Sequence, residues 1–331
     1  MKANEAAKPT IIAIGGPTGI GKTEVAVELA LRRDGEIISA DSMQVYRPLR
    51  VGTAKPTPEE RRGIPYHGID LIDLDETFHL GAFIDMADRL IAEMAARGRH
   101  PIVAGGTGLY IKGLLQGVFE APPVDRALRE RLNARAAAEG PEALHAELGR
   151  VDPEAAAAIA PRDAIRITRA LEIWGQTGKP ISQLWREARA RRSRYPYHLF
   201  VLTCDREVLY ERINRRVEAM FRAGLADEVQ RLLAEGASPH CHAFKALGYR
   251  HVVAWLEGRI DEDEAIAEMQ KHTRHYAKRQ MTWFRAMTGG HWIDAGDRAA
   301  AQIAGEIERF IQTNEARTTT WFDEESAEAN P

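Results

Sequence analysis

Short apolar runs alternate with stretches of helical spacing through the first part of the chain. Residues 10–14 (TIIAI), 36–40 (EIISA) and 101–104 (PIVA) are mostly aliphatic and too short for helices, as strands buried in a parallel sheet are. Residues 22–32 have helical composition, and Phe83, Ala87, Leu90 and Met94 put one apolar stripe on a helix over 81–97. A further helix follows the third run and ends near residue 116. Residues 43–60 hold three prolines and read as loop. Helices interleaved with such strands predict an α/β fold, a parallel sheet with right-handed crossovers.

The rhythm breaks at residue 120. From there to 195 only helices are expected, punctuated by Pro122-Pro123, Gly140-Pro141, Asp152-Pro153, Pro161 and Gly178-Lys179-Pro180. The sheet resumes at 198–203 (HLFVLT), followed by a helix carrying Arg212, Arg215 and Arg216. Helices are then expected over 224–235, 246–257 and 261–288, a short strand or turn at 291–294, and a helix over 297–312. The implied organisation is an α/β core over 8–119 and 196–314, interrupted by an all-helical insertion over 120–195. Residues 315–331, polar, acidic and terminal, read as a disordered tail.

Composition narrows the class without naming a function. The 331 residues are 44% hydrophobic and 28% charged, as in a globular protein. No window approaches 18 apolar residues, and the first ten lack the apolar core of a secretory signal. Two cysteines exclude a disulfide framework and fit a reducing cytoplasm. Net charge is only −3, yet residues 186–194 carry five Arg against one Glu, and 271–285 carry five Lys or Arg and no acid. Local basic surfaces on an acidic protein are therefore one reading, and ordinary solvated helix faces the other.

The chemistry starts at the first turn. Gly16, Pro17, Thr18, Gly19, Ile20, Gly21, Lys22 and Thr23 form G-x-x-x-x-G-K-T, the P-loop. Its glycines let backbone N–H groups converge on phosphate, and the following helix adds its positive end. Lys22 can bridge two phosphates and Thr23 can hold Mg²⁺. Asp41 closes the second run, where open sheets place ligands; general base, metal ligand and turn cap are all open to it. Thr107 follows a second glycine pair (GGTGLY, 105–110), whose small residues allow a ligand close to the backbone; a helix cap is its plainer role. Lys271, Arg274, Lys278 and Arg285 share one helix face that suits RNA phosphates, while Trp283 and Phe284 read as core. His240-Cys241-His242 lacks a second ligand pair at zinc-finger spacing.

In combination these motifs are specific. GPTGIGKT, DSMQVY (41–46), GTAKP (52–56), GGTGLY, RALE (169–172), GYR (248–250) and KRQMTWFR (278–285) closely resemble bacterial tRNA dimethylallyltransferases from about residue 10 to 292. The resemblance implies a P-loop core related to nucleotide kinases, and transfer of a dimethylallyl group from its diphosphate to N(6) of the adenosine 3′ of the anticodon. The P-loop would then hold the prenyl diphosphate, with Mg²⁺ on Thr23. Asp41 would be the general base, Thr107 would touch the tRNA, and Arg216 would serve the diphosphate. Arg129 matches an RNA-contacting position. So do Asp41, Ser42, Met43 and Gln44, then Ile165, Arg166, Ile167, Thr168 and Arg169, and Lys245, Ala246, Leu247, Gly248, Tyr249 and Arg250. A monomer acting on the tRNA anticodon stem-loop, with no membrane or obligate protein partner, is implied. Gly19-Ile20 replace the family's usual Ala-Ser, and the zinc-finger extension of eukaryotic relatives is absent. A free-adenylate isopentenyltransferase, a small-molecule kinase and an RNA-binding P-loop ATPase are the competing readings.

Overall fold

The apolar runs read from the sequence become neighbours in one parallel sheet. A computed structural model describes residues 8–117, 119, 122–190 and 193–328; the first seven residues and the centre of the basic run 186–194 lie outside the described residues. The strands are β1 (Ile11–Gly15), β2 (Gly35–Ser39), β3 (Tyr66–His67), β4 (His100–Gly105), β5 (Tyr197–Thr203) and β6 (Gly290–Asp294), in the order β3-β2-β4-β1-β5-β6. All pairings are parallel, with Ile12 opposite Ile102 on one side of β1 and Ile14 opposite Phe200 on the other. Side chains alternate across the sheet, so the two faces bury separate cores. Ile12, Ile14, Ile102 and Leu202 face one, Ile11, Ala13, Val103 and Val201 the other.

Helices cover both faces. α1 (Lys22–Arg33) sends Val25 and Leu29 into the first core; α2 (Pro58–Arg61) is a short turn started by a Thr57–Glu60 capping box. α3 (Leu80–Ala96) and α4 (Gly108–Gln116) bury Phe83, Ile91, Ile111 and Leu114 in the second core.

Residues 116–194 form a separate compact unit, residues 1–115 and 195–331 the other. The smaller unit holds α5 (Arg126–Glu139), α6 (Pro141–Val151), α7 (Pro153–Ala158), α8 (Ala164–Thr177) and α9 (Ile181–Ala190). Leu132, Leu144, Leu148, Ile167, Leu171 and Ile173 are its core. The Asp-Pro and Gly-Pro pairs noted in the sequence start its helices, Asp152 capping α7 through the Ala155 amide.

The larger unit resumes with α10 (Arg206–Arg222), α11 (Leu225–Ala234), α12 (Tyr249–Leu256), α13 (Glu262–Arg285) and α14 (Ala300–Glu328). Three details differ from the sequence reading. Two-residue β3 was not anticipated. The helix expected over 246–257 starts only at Tyr249: a short 3₁₀ turn covers Ala243–Lys245 and closes at Ala246, and Gly248, at φ 103, caps the helix from outside the helical region. α14 continues to Glu328 where a disordered tail is expected; no Gly or Pro stands between 306 and 328 to stop it. Residues 329–331 of that tail lie outside the described residues.

Candidate active site

The C-terminal ends of β1, β2 and β4 deliver three turns to one edge of the sheet. After β1, the loop reaches α1 through glycines at φ 145 (Gly16), 82 (Gly19) and 96 (Gly21), conformations that L side chains rarely adopt. Pro17 and Ile20 are buried, so the loop is anchored by its apolar members while Gly21, Lys22 and Thr23 stay partly open. The Lys22 ammonium donates to the Pro17 carbonyl at 2.7 Å, folding the side chain over its own loop. Gly19 lies against Ile213 of α10, and one turn further Arg216 reaches the same place.

Charge is concentrated here. Burial first, and the Arg216 cation second, push the Lys22 pKa down to about 7, against the pull of the Asp41 carboxylate. Burial also lowers the Arg216 pKa, with Asp41 foremost among the carboxylates that oppose the shift. Lys22 and Arg216 repel one another despite the pull of nearby carboxylates, and a di-anionic phosphate group placed between them would relieve that repulsion. Tyr66 of β3 brings its hydroxyl to Thr23; burial, opposed by that hydrogen bond, raises its pKa to about 12.

Asp41 is held by backbone. Its Oδ1 accepts from the Met43 amide at 2.9 Å and more weakly from Gln44, an Asx turn that aims the carboxylate. Ser42 donates its amide to the Thr107 hydroxyl at 3.1 Å, joining the second turn to the third. Tyr276 of α13 is within hydrogen-bonding reach of both Thr107 and Gln280, and burial pushes its pKa up.

The second glycine turn is filled by the protein itself. A Cβ at Gly105 would overlap the Ala40 carbonyl, one at Gly106 the Gln280 amide, and one at Gly108 the Trp283 ring. The sequence allows this closeness to serve a ligand; the structure spends it on the backbone that follows β2 and on α13. Phe284 is fully buried beneath Gly15, and Trp283 is half-buried, as core packing requires.

The residues expected to meet RNA divide by exposure. The Gln44 side chain is buried, bonded to Ser39 and to the carbonyls of Thr53 and Ala54, so it locks the GTAKP loop. Lys55 of that loop is likewise spent on the Tyr46 carbonyl and Asp70. Met43 is partly exposed, Lys245 and Arg250 are exposed, Leu247 is half-buried, and Ala246 and Gly248 are buried. Tyr249 is fully buried with its hydroxyl on Glu228. Within the smaller unit, Ile165 is 83% exposed and Arg166 is exposed, whereas Ile167 and Thr168 are core. Arg129 and Arg169 are both gripped by Glu172, itself fully buried.

Site residues thus come together from distant segments: Lys22, Thr23, Asp41, Thr107 and Arg216. Tyr66 and Gln280 join them without having been assigned a site role from sequence, and Tyr276 joins them from the basic 271–285 helix, where the sequence reads it as a candidate for base stacking. The KRQMTWFR motif was the available signal for Gln280; Tyr66 had none.

The chain is similar to known proteins over most of its length. The family model described as IPP transferase matches residues 44–287. A tRNA dimethylallyltransferase from an Exiguobacterium species is 46% identical, with 92% of this chain and 98% of the relative covered. Its counterpart in Myxococcus xanthus is 45% identical over 92% and 99%. Among solved structures, full-length tRNA isopentenylpyrophosphate transferase from Bacillus halodurans is 40% identical with TM-score 0.70, covering 96% of this chain and all of that one. A eukaryotic dimethylallyltransferase described as acting on tRNA is 28% identical with TM-score 0.79, over 92% and 80%.

Proposed function

The chain belongs to the IPP transferase family, and on that premise we propose that it is a tRNA dimethylallyltransferase working as a cytoplasmic monomer. It transfers a dimethylallyl group from dimethylallyl diphosphate to N(6) of the adenosine 3′-adjacent to the anticodon, releasing diphosphate. The observation that carries the residue roles is the convergence of Lys22, Arg216 and Asp41 at the mouth of the P-loop.

The target amine is a weak nucleophile because its lone pair is delocalised into the purine. Asp41, already oriented by the Met43 amide, accepts a hydrogen bond from it and takes its proton as the new N–C bond forms. The allylic C–O bond breaks with its electron pair leaving on the diphosphate. Lys22, Arg216 and the open amides of the P-loop stabilise that charge. Thr107, fixed by the Ser42 amide, touches the RNA beside the base. Reaching an anticodon-loop base requires unstacking it, at a cost of a few kcal/mol. Of the positions matched to RNA contact, Lys245, Arg250, Ile165 and Arg166 are exposed and Met43, Leu247 and the Glu172-bound Arg129 are partly so; these have surface for RNA, as do Lys271, Lys278 and Arg285 of the basic helix.

The donor set fits Mg²⁺ of the kind that keeps water and shares phosphate ligands. Thr23 offers a hydroxyl in the first turn of α1, and among the described residues no three His, Cys, Asp or Glu side chains form an all-protein cage. Bound there, the ion would add positive charge to the departing diphosphate.

The deciding experiment offers radiolabelled dimethylallyl diphosphate to undermodified tRNA, AMP and ATP in parallel. Label in tRNA alone is expected. Label in AMP would mean a free-nucleotide enzyme, and ATP consumption without label a kinase or ATPase.

A further inference from the structure

α13 inserts one polar side chain between the diphosphate turn and the RNA-facing turn. Gln280 is 6% exposed, and each end of its amide is used. Its Oε1 accepts from the Thr18 amide at 2.8 Å, and its Nε2 donates to the Gly106 carbonyl at 2.9 Å. A backbone amide can only donate and a carbonyl only accept, so these partners fix which way the amide points. A Cβ at Gly106 would overlap Nε2, so that position admits the bond only as glycine. The bond to Thr18 also removes one donor from the P-loop, leaving the amides from Gly19 to Thr23 for phosphate.

We propose that Gln280 is a positioning residue for prenyl transfer: its amide ties the diphosphate turn to the Thr107 turn, so that the allylic carbon and the adenosine amine are held in one frame. Thr18 and Gly106 border the two turns that carry, respectively, Lys22 and Thr107. Tyr276, one turn before Gln280 on the same helix, reaches both Thr107 and Gln280, so α13 holds the RNA-facing turn at two points. A displacement of about 1 Å between reacting groups can cost on the order of 100-fold in rate. The inference rests on the reaction proposed above.

The test compares wild type with Gln280→Leu, Gln280→Glu and Gln280→Met in steady-state transfer to tRNA, with Tm measured alongside. Glutamate keeps the acceptor for Thr18 but sets an oxygen against the Gly106 carbonyl; methionine fills the volume with no amide. All three are expected to lose kcat by roughly 10- to 100-fold, with KM for dimethylallyl diphosphate changed by less than about threefold. Methionine is expected to retain a Tm near wild type. Wild-type kcat in folded Gln280→Met would overturn the proposal and leave Gln280 a packing residue. Hydrogen exchange on wild type covers the case in which the variants do not fold: the Thr18 amide is expected to be protected before any substrate is added, and a freely exchanging amide would also overturn it. Absence of tRNA labelling by wild type would instead refute the reaction, which separates the two failures.

Discussion

A Cβ placed at Gly21 would meet nothing within 4 Å, whereas one placed at Gly105, Gly106 or Gly108 would collide with Ala40, Gln280 or Trp283. Both turns follow a central strand, both lead into a helix, and both are written in the same small residues. In the first, the glycines supply backbone conformations, and while Gly16 and Gly19 pack on Leu202 and Ile213, Gly21 leaves room in front of its amide. In the second, it lets α13 press against the sheet edge. Glycine content therefore says that something comes close to the backbone. Whether that is ligand or protein depends on a helix more than 170 residues away.

This contrast can be broken most severely on the open side. Asp41→Ala and Lys22→Ala are expected to lower kcat/KM by 1,000-fold or more, as order-of-magnitude losses for a base and a charge stabiliser. In filter binding, Asp41→Ala should keep tRNA affinity; turnover unchanged in that variant would remove Asp41 from catalysis. On the closed side, Gly108→Ala is expected to cost about 1–3 kcal/mol of stability in urea denaturation, the usual toll of overpacking. Gly21→Ala sharpens the difference, since only its φ of 96 is at stake. A stability loss of about 1–2 kcal/mol is expected there, accompanied by a higher KM for dimethylallyl diphosphate that Gly108→Ala does not show. The smallest effect is in exchange rates: diphosphate should slow exchange of the amides from Gly19 to Thr23 and leave those of 105–108 unchanged. Equal protection of both turns would erase the distinction.

What the sequence discloses follows from how locally each feature is determined. β1, the P-loop and α1 are legible because strand composition, turn glycines and helix start lie within about two dozen consecutive residues. The capping box Asp261–Glu264 and the stripe Ala265, Met269, Thr273, Ala277, Gln280, Phe284 make α13 equally readable as a helix. The Gln280 clamp is not readable, because its partners are 262 and 174 positions away. β3 escapes because two residues carry no periodicity; only the edge of β2 makes them a strand. The RNA-matching stretches mix exposed Arg250 with buried Tyr249, since helices alternate faces and a motif does not say which face is wet.

The pairing of β1 sets a timetable for the growing polypeptide. Ile11 lies opposite Tyr197 on one side and Ile12 opposite Ile102 on the other. At synthesis rates of roughly 5–20 residues per second, the first strand waits on the order of 10–40 s for its second neighbour. The residue that fastens the two glycine turns is made later still. A ribosome that stalls before α13 emerges therefore leaves a nascent chain with a complete P-loop sequence but without the Gln280 bridge between its two glycine turns.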